Sequence, residues 1–232
     1  AYFGEKLFLQ HCASCHDNPA AHAPTREALA GFSLESIMIA MGFGKMQPMA
    51  AHLNKREQFL IATFLSGSAK DQDGWIADHR CEGPADDDST LFVADWGMGA
   101  QNRRYASTRT TAINRGNVAS LKLAWSLAFP KVSDMRSQPA IIGDTLYLGD
   151  KTGRFYAIDR RRGCVRNHTR LLSGIRSAVT VVNRPNGKQQ LVFADSMASI
   201  YAIDPDSLEV LWQQQARLYD TSIITGSISH HD

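Results

Sequence analysis

A repeat constrains the fold of this chain more than any other feature. Leu146-Tyr147-Leu148-Gly149-Asp150 is followed by Phe155-Tyr156-Ala157-Ile158-Asp159. The same pair of runs recurs as Leu191-Val192-Phe193-Ala194-Asp195 and Ile200-Tyr201-Ala202-Ile203-Asp204, 45 residues on in both cases (146 to 191, 155 to 200). Each run is short, apolar and bounded by turn residues, which reads as a strand. A unit of roughly 40 to 50 residues built from four short strands is the signature of a propeller blade.

The first blade is expected to run Pro139–Ile142, Thr145–Gly149, Arg154–Ile158 and Cys164–His168, from inner to outer strand. The second is expected at Ala178–Val182, Leu191–Ala194, Ile200–Ile203 and Glu209–Trp212, with Pro185-Asn186-Gly187 turning the chain between its first two strands. Ile224–Ile228 reads as the inner strand of a third. Known propellers close with about four to eight blades, so this ring is incomplete and the chain is expected to be a piece of a longer protein. Lone blades are also expected to leave the faces of the Leu146–Ile158 and Leu191–Ile203 strands exposed.

The first 66 residues follow a different period. Tyr2–His11 and Lys55–Leu65 place apolar residues at helical spacing, Asn54 is suited to cap the second of these helices, and Ser33 can begin another at Leu34. Residues 66 to about 90 hold Gly67, Gly74, Gly83, Pro84 and the acidic run Asp86-Asp87-Asp88, and read as a linker with a solvated turn. The expected organisation is a mixed multidomain chain. An all-α cytochrome c domain spans 1–68, a linker 69–90, and an incomplete all-β propeller 91–232.

The helical part carries the most specific chemical motif. Cys12-Ala13-Ser14-Cys15-His16 is C-x-x-C-H, the attachment pattern of one covalent c-type haem. Two thiols three residues apart can add to the two vinyl groups, and His16 can reach the iron from the same side. A thioredoxin-like dithiol would need a preceding strand, and a zinc site would need a second ligand pair. Neither is present in the pattern. Cytochromes c commonly complete the iron with Met. Met46 and Met49 lie between the motif and the last helix, in a segment that resembles the cytochrome c pattern of a Met near Pro followed by Leu-Ser and a helix; with Leu53-Asn54 standing in for Leu-Ser, that resemblance selects Met46, with Met49 as its alternative. His11, His22 and His52 read as surface residues. Met38 and Met41 read as core, and Phe8, Leu29, Phe32, Ile37, Phe59 and Leu60 as apolar packing around the haem or between helices.

The net charge of +2 gives no basis for a nucleic-acid or membrane-surface partner, and no apolar run approaches a membrane span. No signal peptide is visible at Ala1. Cys81 and Cys164, isolated from the haem motif, could form a disulfide tying the linker to the first blade.

Trp96-Gly97-Met98-Gly99, Asn102-Arg103-Arg104-Tyr105, and Ile113–Val118 running on to Leu121–Trp125 resemble the opening of the quinoprotein alcohol dehydrogenase propeller. With the cytochrome-like segment in front, the Met46-Gln47-Pro48-Met49 loop and Ser137-Gln138-Pro139, the chain looks like the polyvinyl-alcohol dehydrogenase branch of that quinohaemoprotein family. The resemblance implies a periplasmic oxidoreductase that uses pyrroloquinoline quinone (PQQ), Ca²⁺ and haem c to oxidise alcohols, including an alcohol polymer. It also implies an electron acceptor such as another cytochrome or a respiratory-chain component. Arg176 stands where the family has an arginine before an inner strand, suited to a PQQ carboxylate, and Arg136 resembles it less closely. The family's adjacent-cysteine pair, catalytic carboxylate and calcium ligands come from later blades. The chain is therefore expected to perform the haem part only. Completion by a longer protein or a partner chain, or a haem-bearing binding or sensor protein, are the alternatives.

Overall fold

The computed structural model of the chain describes residues 3–66, 74–83, 90–99, 101–108, 111–130, 132, 135–171, 173–219 and 222–230. Asp86-Asp87-Asp88 lies outside them. The chain divides into two compact units. One comprises Ala1–Asp78, Phe129–Ser133 and Leu218–Thr221, the other His79–Ala128, Asp134–Arg217 and Ser222–Asp232.

Residues 3–66 of the first unit are helical: α1 (Phe3–His11), α2 (Ala13–His16), α3 (Arg26–Ala30), α4 (Leu34–Gly42), α5 (Gln47–Ala50) and α6 (Lys55–Leu65). Side-chain caps set several starts. Thr25 accepts from Ala28 N, Ser33 from Ser36 N, and Asn54 from Glu57 N, while the Glu57 carboxylate returns a bond to Asn54 N as a full capping box. α1 and α6 touch at Gly4, where a Cβ would stand 2.2 Å from the Leu60 carbonyl oxygen. Only the absence of a side chain allows that approach. Leu7, Phe8, Ile37, Met41, Ala50, Leu53, Ile61, Ala62 and Leu65 form the buried core, with Met38 and Met46 against its edge. Phe32 is 51% exposed and does not pack between helices: it follows the end of α3 and precedes the Ser33 cap, so no helix face carries it inward.

The second unit holds two antiparallel sheets. β1 (Phe92–Val93), β2 (Ala140–Ile142), β3 (Thr145–Gly149), β4 (Arg154–Asp159) and β5 (Val165–Arg170) form the first in sequence order. β6 (Thr180–Asn183), β7 (Gln189–Ala194), β8 (Ser199–Ile203) and β9 (Val210–Gln215) form the second. The repeat extends to fine detail. Leu146 faces Ile158 in the first sheet, Leu191 faces Ile203 in the second, and the register slips at Ala157/Ile158 and again at Ala202/Ile203. Asp150 and Asp195, both fully buried, sit in equivalent turns. Each accepts backbone N–H groups on Oδ1 and a tyrosine hydroxyl on Oδ2. Such sheets are consistent with blades of an incomplete propeller.

Three expectations need correction. The faces of the repeated strands are buried, because the two sheets pack on each other: Phe155 stacks on Phe193 at 4.5 Å, inside a core with Ala140, Tyr147, Ile175, Val179, Leu191, Tyr201 and Ile203. In the second sheet the exposed large apolar residues lie instead on the outer strand β9, at Val210, Leu211 and Trp212. Residues 224–228 form no strand, since no described strand offers them a ladder; Ile228 only packs beside Val182, Val192 and Ala202 and accepts a bond from Thr180 Oγ1. The outer strands also run two and three residues past their expected ends at His168 and Trp212, to Arg170 and Gln215.

A disulfide joins Cys81 to Cys164 across a sequence separation of 83. Around it Cys81 N donates to Val165 O and Val165 N to His79 O, so residues 79–81 lie along the outer edge of the first sheet. Arg162 and Arg166 close on the adjacent Asp159 carboxylate. Trp125 docks on the same turn. Its indole N–H donates to Arg160 O at 2.8 Å, and its ring lies where a Cβ on Gly163 (φ +70°) would stand, 2.5 Å away.

Candidate functional site

The residues of the C-x-x-C-H motif fall on one short helical turn. Cys12 is the N-cap of α2, its carbonyl accepting from Cys15 N and His16 N, while Cys15 and His16 close the helix. Cys12 is half-buried beside the helical core and Cys15 is exposed; neither is in a disulfide. Burial, with Cys15 nearby, raises the Cys12 thiol above its ordinary value.

The orientation of His16 is set by a backbone oxygen. His16 Nδ1 lies 2.8 Å from the Pro24 carbonyl oxygen. A carbonyl can only accept, so Nδ1 is the donor, and in the neutral imidazole the lone pair is left on Nε2. This is the tautomer a metal-bound histidine needs, and a bond of this kind raises the ligand's basicity. The ring lies 6.2 Å from that of Phe8, which is fully buried and in turn 5.7 Å from Phe64.

The structure separates the two candidate methionines. Met46 caps α5 and packs against the core that also holds Cys12, whereas Met49 is 55% exposed. The segment between Met46 and α6 is anchored by Gln58, a buried side chain whose amide donates to Ala50 O and Leu53 O, both at 3.1 Å. Nothing in the sequence pattern singles out Gln58, since it sits on the buried face of α6 where an apolar residue is the usual occupant. His22 and His52 are exposed, as read from the sequence, whereas His11 is half-buried. His11 and His52 pair with each other, Nδ1 to Nε2 at 3.1 Å.

In the sheet unit, Arg176 lies in the stretch between β5 and β6. Its Nε is buried and has no hydrogen-bond partner among the described residues. An orphaned guanidinium N–H is costly unless an acceptor fills it, so the residue fits the carboxylate role. Next to it the Ser177 hydroxyl binds both the N–H and the carbonyl of Ala194. Arg136 is exposed. Among the described residues, a convergent group of three metal-competent side chains occurs at Cys81, Asp159 and Cys164, where the disulfide uses both sulfurs.

No protein-family model matches the chain. Its similarities are to alcohol dehydrogenases. Over 99% of its length it is 28% identical to a polyvinylalcohol dehydrogenase of Pseudomonas sp, and equally to one of Sphingopyxis sp. strain 113P3. The chain spans 38% of the length of each. The crystal structure of quinohemoprotein alcohol dehydrogenase from Comamonas testosteroni resembles it with a TM-score of 0.43 and 22% identity, over 64% of this chain and 23% of that one. Among the described residues no helix is long and apolar enough to cross a membrane.

Proposed function

We propose that the chain is the haem-bearing electron-transfer part of a quinohaemoprotein alcohol dehydrogenase of the polyvinyl-alcohol type, joined to sheets that contribute to a PQQ site. The observation that carries this reading is the His16–Pro24 bond, which presents Nε2 beside a C-x-x-C pair. Cys12 and Cys15 would anchor one haem c through thioethers, His16 would ligate the iron, and Met46 would be its second axial ligand. Arg176 would pair with a carboxylate of PQQ. When bound, PQQ would take hydride from an alcohol, and haem would pass electrons singly to an acceptor such as another cytochrome. Within that scheme this chain's residues hold the iron ligand in one tautomer and pack the Phe8 core around it. An oxidising, periplasmic setting is supported by the Cys81–Cys164 bond.

The test is covalent attachment in the full chain. Protein produced with a haem-maturation system is expected to keep its haem mass and red colour after denaturation and acid-acetone extraction. Complete loss of haem into the acetone would overturn the reading.

A further inference from the structure

The bond between His16 and Pro24 is flanked by a second link. Asp17 directly follows His16, and Arg26 lies two residues beyond Pro24. Arg26 Nε donates to Asp17 Oδ1 at 2.6 Å and its Nη2 to Asp17 Oδ2, a two-pronged pair closing the loop between them. The guanidinium also lies over the Phe8 ring, 4.7 Å from its centroid, so it is seated on a fully buried side chain. Within the loop, Asn18 bonds only near neighbours, donating its N–H to Cys15 O and accepting from Ala20 N and Ala21 N, and His22 adopts φ +50°. The segment before Pro24 thus has no long-range bond to the core among those of the described residues, apart from these two links.

We infer that the Asp17–Arg26 pair is a positioning device that keeps the Pro24 carbonyl on His16 Nδ1, and so keeps Nε2 available as a ligand atom. The role as a haem ligand rests on the proposed function; the effect on the imidazole does not. Each side chain of the pair is one-third exposed. Exposed ion pairs contribute little to stability, while a fork-shaped bidentate contact is geometrically demanding. Its effect is therefore expected on the imidazole and not on the melting temperature.

Two readouts test this in the full chain. By NMR, on ferrous protein where haem is attached, the His16 Nδ1–H is expected to exchange with solvent at least tenfold faster in Asp17→Asn and in Arg26→Gln. With haem bound, both variants are expected to raise the midpoint potential. A looser Nδ1–H bond makes the imidazole a weaker donor to the ferric ion. A threefold change in the oxidised-to-reduced ratio corresponds to about 28 mV for one electron. Charge alone predicts opposite signs, since one variant removes an anion and the other a cation. Arg26→Lys keeps the charge but lacks the fork, and is expected to behave like Arg26→Gln. Unchanged exchange, or potentials moving in opposite directions, would overturn the inference. A wild-type chain without covalent haem would overturn the haem reading alone, because the exchange measurement still decides the role of the pair.

Discussion

The Tyr156 hydroxyl donates to the buried carboxylate of Asp150 at 2.8 Å. The other carboxylate oxygen collects Thr152 N, Thr152 Oγ1 and Arg154 N. Tyr201 and Asp195 repeat the relationship at 3.0 Å. A buried carboxylate must be hydrogen-bonded, and in this repeat the turn and the following strand supply the donors. The recurring Asp and Tyr are therefore one motif: the acid holds the turn, and the phenol six residues on fixes the next strand against it.

Removing the phenol should destabilise each sheet without altering its fold. Tyr156→Phe is expected to cost about 1–3 kcal/mol, because a buried charged acceptor loses a donor. For a chain of this size that is a fall of roughly 2–4 °C in melting temperature per kcal/mol. Tyr201→Phe should behave alike. Calorimetry showing no loss in either variant would contradict the assigned role.

Asp159 gives the sheet unit an acid-sensitive contact. Burial would raise its carboxyl, but the Arg162 N–H and the side chains of Arg162 and Arg166 outweigh that and bring it down to about 2. A lowered folded-state value stabilises above the unfolded value near 4, and the gain is lost as pH falls towards 2. The contribution is about 2 kcal/mol. Urea unfolding of wild type and Asp159→Asn should diverge above pH 4 and converge near pH 2. A constant difference across that range would refute the assignment.

Opening the disulfide should weaken the first sheet most. Cys164→Ser, or a reductant, is expected to cost about 2–5 kcal/mol, since the bond closes a long loop. Faster hydrogen exchange at Val165 N, which donates to His79 O, would localise the loss. Equal exchange in both forms would show that residues 79–81 stay in place without it.

The axial assignment separates Met46 from Met49. In oxidised protein carrying haem, Met46→Ala is expected to abolish the weak long-wavelength sulfur-to-iron band and lower the potential. Met49→Ala should leave both unchanged, in keeping with its exposure. The reverse pattern would move the role to Met49.

Arg176 offers a different kind of check. Its Nε makes no bond among the described residues, so Arg176→Met should leave the melting temperature unchanged or raise it. A drop of several degrees would mean that the guanidinium has a structural partner.

The strands around Leu146–Asp159 and Leu191–Asp204 were legible because alternating apolar side chains mark a buried sheet. The tails Thr169-Arg170 and Gln213–Gln215 were not, because their strand character lies in backbone ladders that polar side chains do not reveal. Residues 224–228 show the converse: a strand-like pattern with no partner. At the site, the cysteines and His16 announce themselves by spacing. The Pro24 carbonyl could not, since a backbone acceptor leaves no residue-type signal. The Asp17–Arg26 pair has ordinary surface residues, and only the folded loop brings them together.

The stack of Phe155 on Phe193 couples β4 in one sheet to β7 in the other. With both rings fully buried, neither sheet has a complete interior of its own, and each serves as the other's solvent-excluding wall. Local opening of one must expose the other, so the two sheets should melt as one cooperative unit, with a lesion at either ring accelerating unfolding in both.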